Sequence, residues 1–264
     1  MLGAAVAVLP GLAGCGEEEV GRVAAASGTS TIRYGDDPSQ LVELSRPSGT
    51  PRGVVVVIHG GFWKSAYDLS LGRPLATDLV AKGWAALNIE YRRVGPVGSG
   101  GGGGVPQTLD DVRAAIGTLD DTGLDLTRVV ALGHSAGGHL AACSAHALDA
   151  VTHVISQAGV LDLVAADRDG LGGGAVRAFL GHAAGPADAD VDPSQQLPLG
   201  VPLWCVHATD DTIVPVSQSL DYVAAATSAG AQATMVEVAG DHFVVIDPTT
   251  DAWAQTLAIL DGIG

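Results

Sequence analysis

Apolar positions along the chain follow two different periods. Val54-Val55-Val56-Val57-Ile58 is an unbroken apolar run, as expected of a strand buried on both faces of a parallel sheet. Similar runs occupy residues 84–89, 129–132, 151–156, 202–206 and 234–238. Between them, apolar residues recur at helical spacing over 69–81, 108–119, 138–148, 216–229 and 250–260. This alternation predicts a mostly parallel sheet covered by helices on both faces. Residues 32–34 and 41–44 are expected to pair as an antiparallel hairpin at one edge. With no internal repeat and no interdomain linker, residues 28–264 read as one α/β domain.

Two segments break the alternation. Residues 98–104 are almost pure glycine and are expected to form a flexible loop. Residues 161–200 form a long Asp- and Gly-rich stretch between two strands, with one short helix expected near 175–180. An excursion of that length in a compact domain predicts a cap or binding insertion.

Composition narrows the function classes. Apolar residues make up 47% of the 264 positions and charged residues 16%, ample for a core and unlike a disordered chain. Thirteen basic against 29 acidic residues give a net charge of −16. A chain so acidic is repelled by phosphate backbones, which argues against nucleic acid as a partner. No apolar run approaches the roughly 18 residues of a membrane-spanning helix. His134, His139, His146, His153 and His182 lack carboxylate-supported ligand spacing, so no metal is expected. No other cofactor is expected either.

Three cysteines do not make a disulfide framework. Cys143 and Cys205 fall in a predicted helix and strand, as small buried apolar residues. Cys15 closes the apolar stretch 1–16 in the tetrapeptide Leu12-Ala13-Gly14-Cys15, followed by three glutamates. That tetrapeptide resembles the bacterial lipoprotein signal. The resemblance implies cleavage before Cys15, lipid on its thiol and an exported, membrane-anchored protein; the alternative is a plain tail on a cytoplasmic one. On either reading residues 1–27 stand outside the fold.

The strongest chemical motif is Gly133-His134-Ser135-Ala136-Gly137. Glycine is common enough here for the G-x-S-x-G pattern to arise by chance, so context decides. The motif joins a predicted strand to a predicted helix, where a serine on a sharp, strained turn is exposed for attack. The helix N-terminus directs free N–H groups at developing negative charge. A second motif, His59-Gly60-Gly61-Phe62-Trp63, directly follows the strand at 54–58. A tetrahedral oxyanion needs preorganised donors, and the N–H groups of Gly61, Phe62 and Ala136 are assigned to it. His59 is read as bracing this turn. Phe62 and Trp63 either line the substrate pocket or pack in the core.

Two further elements complete a triad. His207 to Pro215 begins at the end of a predicted strand, and Gly240-Asp241-His242-Phe243 follows the last one. Ser135, Asp211 and His242 then stand in the order nucleophile, acid, base typical of one hydrolase fold. Asp210, one residue away, and Asp162 remain alternative acids.

With Glu90-Tyr91-Arg92-Arg93, Gly133 to His139 and Ala158-Gly159-Val160-Leu161-Asp162, these motifs resemble the α/β-hydrolase esterase/lipase superfamily. Within it they are most similar to the kynurenine formamidase-like branch. The resemblance covers residues 30–264 and implies an eight-stranded sheet with an antiparallel second strand. It also places the acid four residues after the strand-end histidine, selecting Asp211. It implies hydrolysis of a small-molecule carboxylic ester, alternatively of an aryl formamide, with a catalytically silent binding protein as the remaining reading. Arg92 and Arg93 either bind an acidic substrate or pair with Glu90. The aspartates of the insertion, at 162, 167, 169, 188, 190 and 192, make it a poor lid for a lipid surface. Short acyl chains are therefore expected.

Overall fold

The computed structural model describes residues 28–98 and 100–263. The strands are β1 (Thr29–Arg33), β2 (Leu41–Ser45), β3 (Val54–Ile58), β4 (Ala85–Ile89), β5 (Val129–His134), β6 (His153–Gln157), β7 (Leu203–Ala208) and β8 (Ala233–Val238). The helices are α1 (Arg73–Ala81), α2 (Gln107–Gly117), α3 (Ala136–Ala147), α4 (Leu163–Arg168), α5 (Leu171–Leu180), α6 (Ser217–Ser228) and α7 (Asp251–Gly262). All eight strands share one sheet in the order β1-β2-β4-β3-β5-β6-β7-β8. β2 runs antiparallel to both neighbours, and every pairing from β4 to β8 is parallel. This is the α/β-hydrolase fold, with the antiparallel hairpin at the edge.

The unbroken apolar runs are explained by two cores. Val54, Val56 and Ile58 of β3 face one core, together with Leu109 and Ile116 of α2 and Leu140 of α3. Val55 and Val57 face the other, against Leu75 and Leu79 of α1 and Trp253 and Leu260 of α7. Successive strand side chains point to opposite faces, so a strand covered on both sides must be apolar throughout.

Several expectations are refined. The helical stretch 69–81 is divided: a 3-10 turn at Leu69–Leu71 precedes α1, with Gly72 between. A Cβ on Gly72 would lie 2.2 Å from Asn88 Oδ1, so close packing on β4 fixes that position. The glycine-rich loop, read above as flexible, is pinned where it is described. Arg93 N–H donates to Gly100 O (2.9 Å), Gly102 N–H to Gly95 O (3.0 Å) and Gly103 N–H to Arg93 O (2.8 Å). A Cβ on Gly101 would sit 2.3 Å from Gly95 O. Glycine serves here for close backbone approach rather than for freedom.

The insertion forms α4, α5 and two 3-10 turns, and α5 is regular only after Gly172, Gly173 and Gly174, all left-handed. Its aspartates lie only partly at the surface, with Asp169 and Asp190 exposed and Asp162 half-buried. Asp167, Asp188 and Asp192 are buried. Asp162 and Asp192 cap their following turns, while Asp167 pairs with Arg177 and Asp188 with His182. Carboxylates at turn starts satisfy free N–H groups, a role that composition does not distinguish from a solvated face. Among the described residues, no helix is long and apolar enough to cross a membrane. Cys15 lies outside the described residues.

Candidate active site

The Gly133–Gly137 turn forms because nothing larger fits. A Cβ on Gly133 would lie 2.0 Å from Gly137 O, and one on Gly137 would lie 2.1 Å from Ile58 O. Ser135 sits between β5 and α3 at φ 56°, ψ −119°, a conformation rare for a residue with a side chain. Its backbone is fixed by Ser135 N–H donating to Gln157 O on β6 at 2.8 Å.

The turn after β3 is strained too. Gly61, Phe62 and Trp63 have φ of 108°, 52° and 55°. Among the described residues, the N–H groups of Gly61, Phe62 and Ala136 carry no hydrogen bond, so all three remain free to donate. Behind them the His59 ring stacks on Tyr91 at 4.5 Å, and His59 Nε2 donates to Glu90 Oε1 at 3.0 Å. Glu90 also accepts from Leu69 N–H (3.0 Å), Tyr91 N–H (2.9 Å) and the Arg93 guanidinium. Burial opposes its ionisation, but the His59 and Arg93 partners outweigh it and hold the carboxyl below its ordinary range. His59 therefore has the bracing position expected of it, with Glu90 as a hub the sequence did not reveal.

The arginines resolve differently from each other. Arg93 pairs with Glu90, and both side chains are buried. Arg92 instead forks onto Asp111, with Nη2–Oδ1 at 2.7 Å and Nε–Oδ2 at 2.8 Å. Neither guanidinium is left for an acidic substrate.

Of the three aspartates considered, only Asp211 meets His242. Its Oδ2 accepts from His242 Nδ1 at 2.6 Å, and its Oδ1 accepts from Ile213 N–H (2.8 Å) and Val214 N–H (2.9 Å). His207 Nε2 lies 3.2 Å from Oδ2 and donates to Val214 O at 2.9 Å. Burial pushes the Asp211 carboxyl up, but the bonds from His207, His242 and Val214 together hold it well below the ordinary range. Asp210 is exposed and contributes its N–H to Gly240 O at 3.1 Å. Asp162 caps α4, accepting from Ala165 N–H at 2.8 Å.

His134, the variable residue of the G-x-S-x-G pattern, is a supporting group that spacing alone did not assign. Its Nε2 donates to His242 O at 3.0 Å, and the two rings lie 4.5 Å apart. Burial first, and His242 second, push its pKa down to about 3, so this imidazole stays neutral at physiological pH. Ser135 and His242 are both buried. Neither Ser135 Oγ nor His242 Nε2 makes a hydrogen bond among the described residues; such contacts in unliganded sites commonly tighten on substrate binding.

Trp63 is wholly buried, stacked on Phe179 at 4.6 Å and edge-on to His139 at 5.2 Å. Its place is the core rather than an open pocket wall. Phe62 is only partly buried and lies under Gly172, where a Cβ would approach its ring to 2.6 Å. Lys64 Nζ donates to Gly172 O at 2.6 Å and sits 5.7 Å from the Phe62 ring centroid. Phe62, Trp63 and Lys64, three successive residues after β3, thus touch the insertion. Among the described residues no group of His, Cys, Asp and Glu could hold a metal ion.

Fold and site geometry are those of the α/β-hydrolase esterase branch. The chain belongs to the BD-FAE family, whose model matches residues 42–225. It is similar to esterase LipC of Mycobacterium tuberculosis, 34% identical over 118 residues, and that match spans 42% of this chain but only 28% of LipC. It is also similar to kynurenine formamidase avaC of Aspergillus versicolor, 28% identical over 82% of this chain and 91% of that protein. Among solved structures, Est2, a thermophilic esterase of Thermogutta terrifontis, superposes with a TM-score of 0.70 at 26% identity, covering 89% of this chain and 91% of Est2. A carbohydrate esterase from gut microbiota shares the fold with a TM-score of 0.75 at 18% identity, over 90% and 96% of the two chains.

Proposed function

We propose that the protein is a carboxylesterase that cleaves small carboxylic esters through a Ser135-His242-Asp211 triad and an acyl-enzyme. The observation carrying this reading is the 2.6 Å pair between Asp211 and His242, beside a serine held in the strained turn between β5 and α3. With Nδ1–H committed to Asp211, His242 presents Nε2 as a base. Ser135 Oγ attacks the carbonyl carbon as its proton passes to Nε2. The carbonyl oxygen becomes an anion facing the free N–H groups of Gly61, Phe62 and Ala136. The bond to the leaving alcohol then breaks, and His242 returns the proton to that oxygen. Water attacks the acyl-enzyme by the same steps and releases the acid.

The substrate is proposed to be a short-chain ester. Est2, a similar esterase, is known with propionate bound. Phe62, packed against Gly172, is proposed to wall the acyl side. A second reading, an arylformamidase, is favoured by the near full-length similarity to kynurenine formamidase avaC.

The test measures kcat/KM for acetyl, butyryl, octanoyl and palmitoyl nitrophenyl esters beside N-formylkynurenine, with fluorophosphonate labelling of wild type and Ser135→Ala. Expected are labelling of the wild type alone and a decline beyond butyryl. A far higher value for the formamide would promote the second reading. Absent labelling and absent turnover would leave a binding protein.

A further inference from the structure

Among the described residues six large apolar side chains are exposed: Tyr67, Leu71, Val97, Val164, Leu220 and Phe243. Single exposed apolar residues are ordinary, but three of these six adjoin residues of the candidate site. Phe243 is 54% exposed, meets the His242 ring edge-on at 5.3 Å and lies 6.2 Å from the His134 ring. Tyr67 is 45% exposed and packs on Gly61, where a Cβ would approach its ring to 2.5 Å. Leu71 lines a small cleft with Gly60, His134 and Ile246.

We infer that Phe243 and Tyr67 form the leaving-group subsite and select esters of aromatic alcohols. The inference rests on the triad reading above. The chemistry fixes the side on which the alcohol departs. When the tetrahedral intermediate collapses, the carbon–oxygen bond breaks, its electron pair stays on the leaving oxygen, and His242 Nε2 supplies the proton. That oxygen must come within about 3 Å of Nε2. Its substituent is then carried past the side chain flanking His242, which is Phe243. The acyl group, on the other side of the carbonyl carbon, faces Phe62 and Gly172.

An aromatic alcohol offers Phe243 a ring partner in offset or edge-to-face geometry, which an alkyl alcohol does not. Tyr67, packed against Gly61, supplies the second apolar wall. The net charge of −16 disfavours leaving groups that carry a carboxylate.

The experiment keeps the acyl group constant and changes the alcohol. Phenyl, 2-naphthyl and ethyl acetates are assayed with the full chain, as wild type, Phe243→Ala, Phe243→Tyr and Tyr67→Ala. Phe243→Ala is expected to lower kcat/KM for 2-naphthyl acetate roughly tenfold more than for ethyl acetate, mainly through KM. Phe243→Tyr restores most of the loss, and Tyr67→Ala shows the same selectivity more weakly. Equal losses on aryl and alkyl esters, or none on either, would overturn the inference. Fluorophosphonate labelling separates the two failures. A labelled, active enzyme without aryl selectivity refutes only the subsite, whereas an unlabelled, inactive wild type refutes the triad reading and the subsite with it.

Discussion

Asp211 Oδ2 lies 2.6 Å from His242 Nδ1, while the other oxygen of the same carboxyl is held by two backbone N–H groups. A carboxylate fixed at both ends determines which imidazole nitrogen carries the proton. Asp211→Asn is expected to lower kcat by about 10⁴, because the amide favours the wrong tautomer. Asp210→Asn, an exposed neighbour, should stay within a few-fold of wild type. Steady-state kinetics of the two variants check the register, and the reverse ranking would place the acid at Asp210.

The two arginines should rank by burial. Arg93→Met leaves Glu90 buried with a partner missing and is expected to cost about 3 kcal/mol of stability. Arg92 is more exposed, and Asp111 keeps bonds from Gln40 Nε2 and Arg92 N–H, so Arg92→Met should cost about 1 kcal/mol. Urea unfolding measures both; a greater loss for Arg92→Met would contradict the pairing.

Stability should depend on pH through two buried histidines. Burial pushes His134 to about 3 and His139 to about 4. Both folded values lie below the ordinary 6.5, so between about pH 4 and 6.5 the unfolded chain binds protons that the folded chain refuses. Stability therefore rises with pH across this window and is lost on acidification, by up to about 1.4 kcal/mol per pH unit for each ring. Asp211, lowered in the fold, adds a further loss below about pH 4. His139→Leu should flatten the dependence between pH 5 and 7 in urea titrations, and an unchanged slope would show that His139 titrates normally.

Gly137→Ala tests the packing of the serine turn. The added methyl would meet Ile58 O, a backbone atom that cannot step aside. A loss of about 3 kcal/mol is expected, read as a lowered urea midpoint. A variant as stable as wild type would mean that β3 and α3 are not held so closely.

Export is a separate proposal. If Cys15 carries lipid, the mature protein should sediment with membranes of a bacterial host, and Cys15→Ala should block processing or release it. Wild type found entirely in the soluble fraction would refute lipid attachment.

The centre of the sheet was legible because β3, β4 and β5 are covered on both faces and so betray themselves as apolar runs. The serine turn was legible because steric exclusion at Gly133 and Gly137 leaves only glycine. The partnerships of charged residues were not legible. Arg92 reaches Asp111 across nineteen positions of sequence, and Glu90 collects His59, Leu69 and Arg93 from three segments. Such contacts depend on topology, which local pattern does not carry. The insertion's aspartates were only partly legible for the same reason: a carboxylate that caps a turn and one that faces water are the same letter. Trp63 stands two positions after the glycines of its motif, and its backbone turn sends the ring into the core against Phe179.

The contacts of Phe62, Trp63 and Lys64 with α5 bear on how far this enzyme can be rebuilt. The insertion is not an interchangeable module placed above a finished catalytic platform. Exchanging residues 161–200 for the corresponding segment of a relative would remove the packing partners of Phe62, Trp63 and Lys64 along with the insertion. A successful chimera would have to move residues 59–64 and the insertion as one unit, so variation in this lineage is expected to pass through both segments together.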